Sequence, residues 1–224
     1  HRVVTLLGAG GTGKTLLAQH LLRHAQASFE HGVCLVDLAP VEDAAAVAGA
    51  AATALGIAAG RRDPLAGLCE SLAPLRLLLV LDNAEHLLAE VARVVDAIQK
   101  AAPEVRMVIT SQAPLRLSAE HPFRLGGMAL PPAGASLAQA AVCGAVALFV
   151  DRARVAARRF ELDDETLPPV LHLCRQLDGS ALAIEMAAAR LPLLGLAGLV
   201  SALDERLALL TNGLRDRPDR QQAL

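Results

Sequence analysis

Tryptophan and tyrosine are absent from the sequence and phenylalanine occurs four times, so 2% of the 224 residues are aromatic. Base stacking, the usual way to hold single-stranded nucleic acid, has almost no side chains to work with. An excess of positive charge is missing too: the formal net charge of −2 gives no global field that would draw the chain to nucleic acid or an anionic membrane. Lysine is scarce, with Lys14 and Lys100 set against 19 arginines. The four cysteines (Cys34, Cys69, Cys143 and Cys174) lie far apart, with no C-x-x-C and no histidines at metal-ligand spacing. That spacing predicts reduced, buried thiols. Long hydrophobic runs are lacking as well. The uncharged stretches 44–60 and 126–150 are dominated by Ala and Gly, and the second carries Pro131-Pro132, so no membrane span is expected. His1-Arg2-Val3 leads straight into an apolar run with no signal peptide and no initiating Met, which reads as a cytoplasmic chain cut from a longer protein.

What is present begins with Gly8-Ala9-Gly10-Gly11-Thr12-Gly13-Lys14-Thr15, a complete G-x-x-x-x-G-K-[ST] pattern directly after the apolar run Val3–Leu7. A strand feeding a glycine-rich turn and then a helix aims consecutive backbone N–H groups into one concavity, where the positive end of the helix dipole adds to them. Such a nest holds the β-phosphate of a nucleotide. Gly8, Gly10, Gly11, Thr12, Gly13, Lys14, Thr15 and Leu16 are therefore the candidate nucleotide-binding residues. Lys14 is expected to reach the β- and γ-phosphates, and the Thr15 hydroxyl to take a coordination position on Mg²⁺.

Length and composition, 54% hydrophobic and 20% charged, suit one good core and a smaller second one. Up to about residue 130 the text alternates short β-like runs (3–7, 33–38, 77–81, 105–110 and a weaker 122–125) with helical stretches. Runs without polar alternation are buried on both faces, which predicts a doubly wound parallel sheet of α/β class. Beyond Pro131-Pro132 the strand signals stop and residues 137–210 read as helix. Phe149, Ala153, Ala156 and Phe160 share one face, as do Leu167, Val170, Leu171, Cys174 and Leu177. Asp178-Gly179-Ser180 breaks that second helix and can cap the next, over 181–190. The expected division is a nucleotide-binding α/β domain over 1–131, a small helical lid domain over 132–210, and a charged, proline-interrupted linker over 211–224.

Leu77-Leu78-Leu79-Val80-Leu81-Asp82 is an apolar strand ending in an acid. The carboxyl ends of parallel strands open on one crevice, so Asp82 is expected near the phosphate loop, holding Mg²⁺ through water. Capping of the following helix is the alternative use of Asp82. Hydrolysis also needs a group that orients or deprotonates water. Asn83 can only orient it; Glu85 is the nearest carboxylate and His86 follows, and both are read as opening a helix. Lys14, Asp82 and Glu85 are thus the candidate catalytic set. Thr110-Ser111-Gln112 ends the fourth strand and can bring uncharged groups to the same crevice, between the phosphate loop and Asp82. Arg152, Arg154, Arg158 and Arg159 cluster on the first helix of the lid, as a solvated face or as a phosphate contact from a neighbouring subunit.

The order GAGGTGKT, LLLVLDNAEHLL, VITSQAPLRL, ALFVDRARV, LCRQLDGSALAIEMAAARL and LDERLALLT resembles the NB-ARC-like STAND ATPases of bacterial multidomain regulators across nearly the whole chain. The resemblance implies a switch in which ADP is held in a closed form, ATP exchange opens the helical domain, and the opened form self-associates or releases a fused effector. Such relatives carry a DNA-binding or other output domain and helical repeats in addition to this module. Two departures stand out. Where the family has Gly-Leu-Pro-Leu after the LDG step, this chain has Gly179-Ser180-Ala181-Leu182; where it tends to have Arg after Thr-Ser, this chain has Gln112. An uncharged side chain there implies slow or activator-dependent hydrolysis. The expectation is an ATP/ADP-binding, Mg²⁺-dependent signalling module in the cytoplasm, with no membrane and no direct nucleic-acid contact by this part of the chain. A non-hydrolysing nucleotide-bound scaffold and a small-molecule kinase are the competing readings.

Overall fold

The structure is a computed structural model that describes residues 1–57 and 63–215, with side chains through residue 205. The chain divides into two units, His1–Leu125 and the residues from Gly126 onward. Among the described residues of the first, β1 (Val3–Leu7), β2 (Val33–Asp37), β3 (Leu78–Asp82), β4 (Arg106–Ser111) and β5 (Glu120–Arg124) alternate with α1 (Lys14–Ala25), α2 (Val47–Ala54), α3 (Pro64–Leu72) and α4 (Leu88–Ala101). All strand pairings are parallel and the order is β2-β3-β4-β1-β5. The α/β expectation holds.

The apolar runs build this sheet because its central strands β1, β3 and β4 bury both faces. Along β3 and β4, Leu79, Leu81, Met107 and Ile109 join the core made with α2, α3 and α4, while Leu78, Val80 and Val108 pack with Ala18 and Leu22 of α1. The period of two thus divides one strand between two cores. All five residues of β3 are buried, so the strand that ends in Asp82 is the most enclosed. At one edge, β5 is mostly exposed and carries Pro122, which an edge strand tolerates because it needs no inward N–H there.

The second unit contains α5 (Leu137–Ala141), α6 (Gly144–Ala156), α7 (Leu167–Gln176), α8 (Ala181–Ala189) and α9 (Leu191–Arg215), the last kinked at Gly195. Its core gathers Val146, Phe149 and Ala153 of α6, Val170, Leu173 and Cys174 of α7, Ile184 and Ala188 of α8, and Leu191 and Leu199 of α9. The face drawn from Phe149 to Phe160 is broken: α6 ends at Ala156, which is exposed, and Phe160 returns to meet Phe149 edge-on at 5.9 Å. Arg158 and Arg159 consequently lie beyond the helix, and Arg152 pairs with Glu185 at 2.8 Å. Asp178 and Gly179, both at positive φ, end α7 as expected, but Ser180 makes no side-chain cap on α8. Gly179 has no room for a Cβ, which would stand within contact distance of the Met128 carbonyl, and its own carbonyl accepts from Met128 N at 2.8 Å.

Among the described residues no single helix is long and apolar enough to cross a membrane; α8 and the start of α9 meet that length and composition only as a pair, bent by 120°. Of the cysteines, all free, only Cys174 is buried; Cys34, Cys69 and Cys143 are partly exposed, against the expectation of four buried thiols. Helix continues through residue 215, and the rest of the expected linker, 216–224, lies outside the described residues.

Candidate nucleotide-binding site

The crevice forms at the carboxyl end of β1, β3 and β4. The strand order sets β4 between β1 and β3, so the end of β4 lies between the loop after β1 and the acid ending β3. The loop is shaped by backbone conformations open to glycine: Gly11 has φ 77° and Gly13 φ 88°. Gly13 is the N-cap of α1 and no side chain caps that helix, so its first-turn N–H groups keep no side-chain acceptor. Thr12 turns inward on the loop, its hydroxyl donating to the Ala9 carbonyl at 2.9 Å. Leu16, in the first turn of α1, is 65% exposed.

Lys14 is buried to 8% exposure and donates to the carbonyls of Gly8 at 2.8 Å and Ala9 at 3.0 Å. No carboxylate pairs with it among the described residues, so neutral acceptors alone hold its ammonium. A buried cation held by carbonyls alone among the described residues, beside uncapped helix N–H groups, suits an anionic ligand.

Asp82 is buried and takes two hydroxyl donors on one oxygen: Thr15 Oγ1 at 3.0 Å and Thr110 Oγ1 at 2.5 Å, both to Oδ1. Asp82 caps no helix; α4 begins six residues later with Leu87 as its N-cap. A carboxylate and a threonine hydroxyl in contact form a set of hard oxygen donors of the kind Mg²⁺ takes, and they fit that ion.

The chain then turns sharply. Asn83 has φ 65°, its N–H donates to Thr110 Oγ1 at 2.8 Å, and Ala84 N donates to the Thr110 carbonyl at 3.0 Å. Glu85 and His86 lie in this turn, not in the first turn of the helix as expected from sequence. His86 is exposed and directs its ring to the Val41 carbonyl at 2.9 Å. Glu85 Oε1 accepts from Gln112 Nε2 at 2.9 Å, and Glu85 Oε2 is buried without a partner. The fold therefore brings Thr15 and Asp82 into direct contact, whereas Glu85 hydrogen-bonds to neither. Thr110 and Gln112 emerge as the residues that hold the two acids. Sequence reasoning placed them in the crevice but not on those partners, and the only signal was a polar triplet ending an apolar strand.

A five-stranded parallel sheet with this glycine loop after β1 and an acid ending β3 defines a P-loop ATPase fold. The profile of the AAA domain family matches residues 1–116, more than half of the chain, and the chain belongs to that family. A Mycobacterium tuberculosis protein provisionally named an HTH-type transcriptional regulator is 37% identical over 225 residues, which span this whole chain and 24% of that protein. An uncharacterized protein of the same organism is 32% identical over 227 residues, again the whole chain and 54% of its own length. The chain thus spans between a quarter and about half of these relatives. Among solved structures, Cdc6p of Pyrobaculum aerophilum superposes with a TM-score of 0.56 at 21% identity, covering 84% of this chain and 55% of that one. PCH-2 of C. elegans does so with a TM-score of 0.52 at 16% identity, covering 92% and 61%. Both are likenesses of fold.

Proposed function

We propose that this chain is the ATP/ADP-binding switch module, with slow Mg²⁺-dependent ATPase activity, of a larger cytoplasmic bacterial regulator of the STAND type. The observation that carries the reading is the contact between Thr15 and Asp82 beside a buried Lys14 that pairs with no carboxylate among the described residues. In this reading residues 8–16 surround the nucleotide phosphates through backbone N–H groups, and Lys14 gives up its loop carbonyls for phosphate oxygens. Thr15 and Asp82 hold Mg²⁺, which when bound neutralises charge on the phosphates. Thr110 keeps the Asp82 carboxylate turned toward Thr15, and Glu85 accepts a proton from water. The helical residues 132–210 are the responding part of the switch, and 211–224 lead toward further domains. The provisional name of the 37%-identical relative supports a transcriptional output, with the fused effector and any ATP-dependent self-association belonging to the longer protein.

Denaturing the purified protein and resolving the supernatant by ion exchange should release ADP near one per chain. Lys14→Ala should release none and fail to bind Mg·ATP, while Asp82→Ala should keep ADP and lose hydrolysis. A wild-type chain that is empty and ignores Mg·ATP overturns the proposal. One observation favours a non-hydrolysing scaffold: the residue after Asp82 is a neutral Asn83 in the left-handed region. Retained ADP with single-turnover hydrolysis at the uncatalysed rate would select that reading.

A further inference from the structure

The segment that leaves β5 is anchored at both ends. Within the first unit, Leu125 N donates to the Leu7 carbonyl at 2.7 Å, directly before the phosphate loop. The Leu125 carbonyl also lies against Gly8, where a Cβ would stand 3.3 Å from it. Within the second unit, Met128 N donates to the Gly179 carbonyl at 2.8 Å, and Ala145 N donates to the Ala129 carbonyl at 3.1 Å. The turn from α7 to α8 and the start of α6 thus hold two successive residues of the segment. Two glycines make the first of these holds close. A Cβ on Gly127 would overlap the Asp178 carbonyl, and one on Gly179 would overlap the Met128 carbonyl, so the two backbones meet with no side chain between them. Gly126, between the anchorages, is exposed and makes no hydrogen bond among the described residues.

We infer that residues 125–129 are a strap that carries the nucleotide state of the phosphate loop to the turn between α7 and α8. The inference rests on the reading of the chain as a nucleotide switch and names the route inside it. Lys14 holds the carbonyls of Gly8 and Ala9, and Gly8 is the residue against which Leu125 lies. Phosphate oxygens that draw Lys14 off those carbonyls therefore act on the near anchorage of the strap. The far anchorage is the α7–α8 turn, where Asp178 and Gly179 both take left-handed conformations, with φ 49° and 63°. Energetic coupling runs through contiguous packed and hydrogen-bonded backbone, and here that path follows the chain itself. One unheld residue adds at most about 3.6 Å of reach, so the strap has little slack to absorb a shift at either end.

The test is amide hydrogen exchange with and without ADP, read separately in peptides from α1 and from α7–α8. It compares wild type, Gly127→Ala, and a variant with a Gly-Gly pair inserted between Gly126 and Gly127, each with ADP at about one hundred times its own Kd. The substitution opens the close hold on the turn, whereas the insertion keeps both anchorages and adds slack. In wild type ADP should slow exchange in α1 about 100-fold, and in α7 and α8 about 5-fold or more. Both variants should keep the effect in α1 and lose it in α7 and α8. Protection of α7 and α8 that survives in either variant overturns the inference. Should Gly127→Ala unfold the helical unit, the insertion, which touches neither anchorage, decides alone. A wild type in which ADP protects α1 but not α7 and α8 refutes the switch reading itself, and one in which ADP protects neither refutes nucleotide binding.

Discussion

At the scale of single residues the site depends on a few side chains in conformations their neighbours impose. Asn83 shows this most directly: at φ 65° it occupies the left-handed region, where a Cβ crowds the backbone, and only its N–H is used, donating to Thr110 Oγ1. Asn tolerates that region because its short polar side chain can bond locally, and Gly tolerates it better still. Asn83→Gly should therefore leave the unfolding free energy nearly unchanged. Asn83→Val, β-branched in the same conformation, should cost about 1–2 kcal/mol, as read from urea unfolding. Equal losses in both variants would mean that the amide side chain, not the backbone angle, is what the turn requires. The same backbone turn explains why Glu85 stands outside the helix that the sequence suggests: residues after an apolar strand and before an amphipathic helix read as the start of that helix. Nothing local announces a reversal set by a hydroxyl 27 residues away.

At the scale of elements, the turn that leads into α7 is held by side chains, although the N-cap residue Thr166 makes no side-chain cap on the helix itself. Ahead of α7, the Asp163 carboxylate accepts from Thr166 N at 2.8 Å, from the Thr166 hydroxyl at 2.9 Å and from Glu165 N at 3.0 Å, while Asp163 N donates back to the Thr166 hydroxyl at 2.9 Å. The bond from Thr166 N is the largest of the causes that hold the Asp163 carboxyl below its ordinary value. A depressed folded-state value gives stability that is present above the ordinary one and is lost as pH falls through the folded one. Thermal unfolding should therefore show Asp163→Asn less stable than wild type at pH 7, with the gap narrowing below about pH 4 as the wild-type carboxylate protonates. A gap that does not narrow at all as pH falls below about 4 would show the charge to be irrelevant. Elements of this kind differ in how well they can be read. The apolar strands at Val3–Leu7 and around residues 78–82 are legible because burial on both faces leaves no polar alternation, and the loop is legible because its glycines sit at fixed intervals. The strand order is not: it brings β4 between β1 and β3, and with it the contacts of Thr110 to Asp82 and Gln112 to Glu85, through crossovers that leave no local mark. The end of α6 at Ala156 was hidden for a related reason, since Phe160 keeps helical spacing while packing from beyond the helix.

At the scale of the molecule each unit has a core of its own, two clusters in the first and one in the second, and the proposed nucleotide residues all belong to the first unit. A nucleotide that binds only the folded first unit stabilises it by about 2.7 kcal/mol at one hundred times its Kd, which slows opening of that unit about 100-fold. Whether any of this reaches the second unit separates a switch from a simple binding domain, and the cysteines supply the reporter. Cys174 is fully buried in the second core, and burial pushes its thiol up to about 11, so it reacts at neutral pH only when that core opens. Cys34 and Cys69, partly exposed in the first unit with thiols also raised by burial, serve as internal controls. In a switch, saturating ADP should slow maleimide labelling of Cys174 as well as of Cys34 and Cys69, and Lys14→Ala should abolish all three effects. If ADP protects Cys34 and Cys69 while Cys174 labels at its original rate, the two units are energetically independent. Nucleotide free energy then has no route to the helical unit, and a module without that coupling cannot transmit its nucleotide state to an effector.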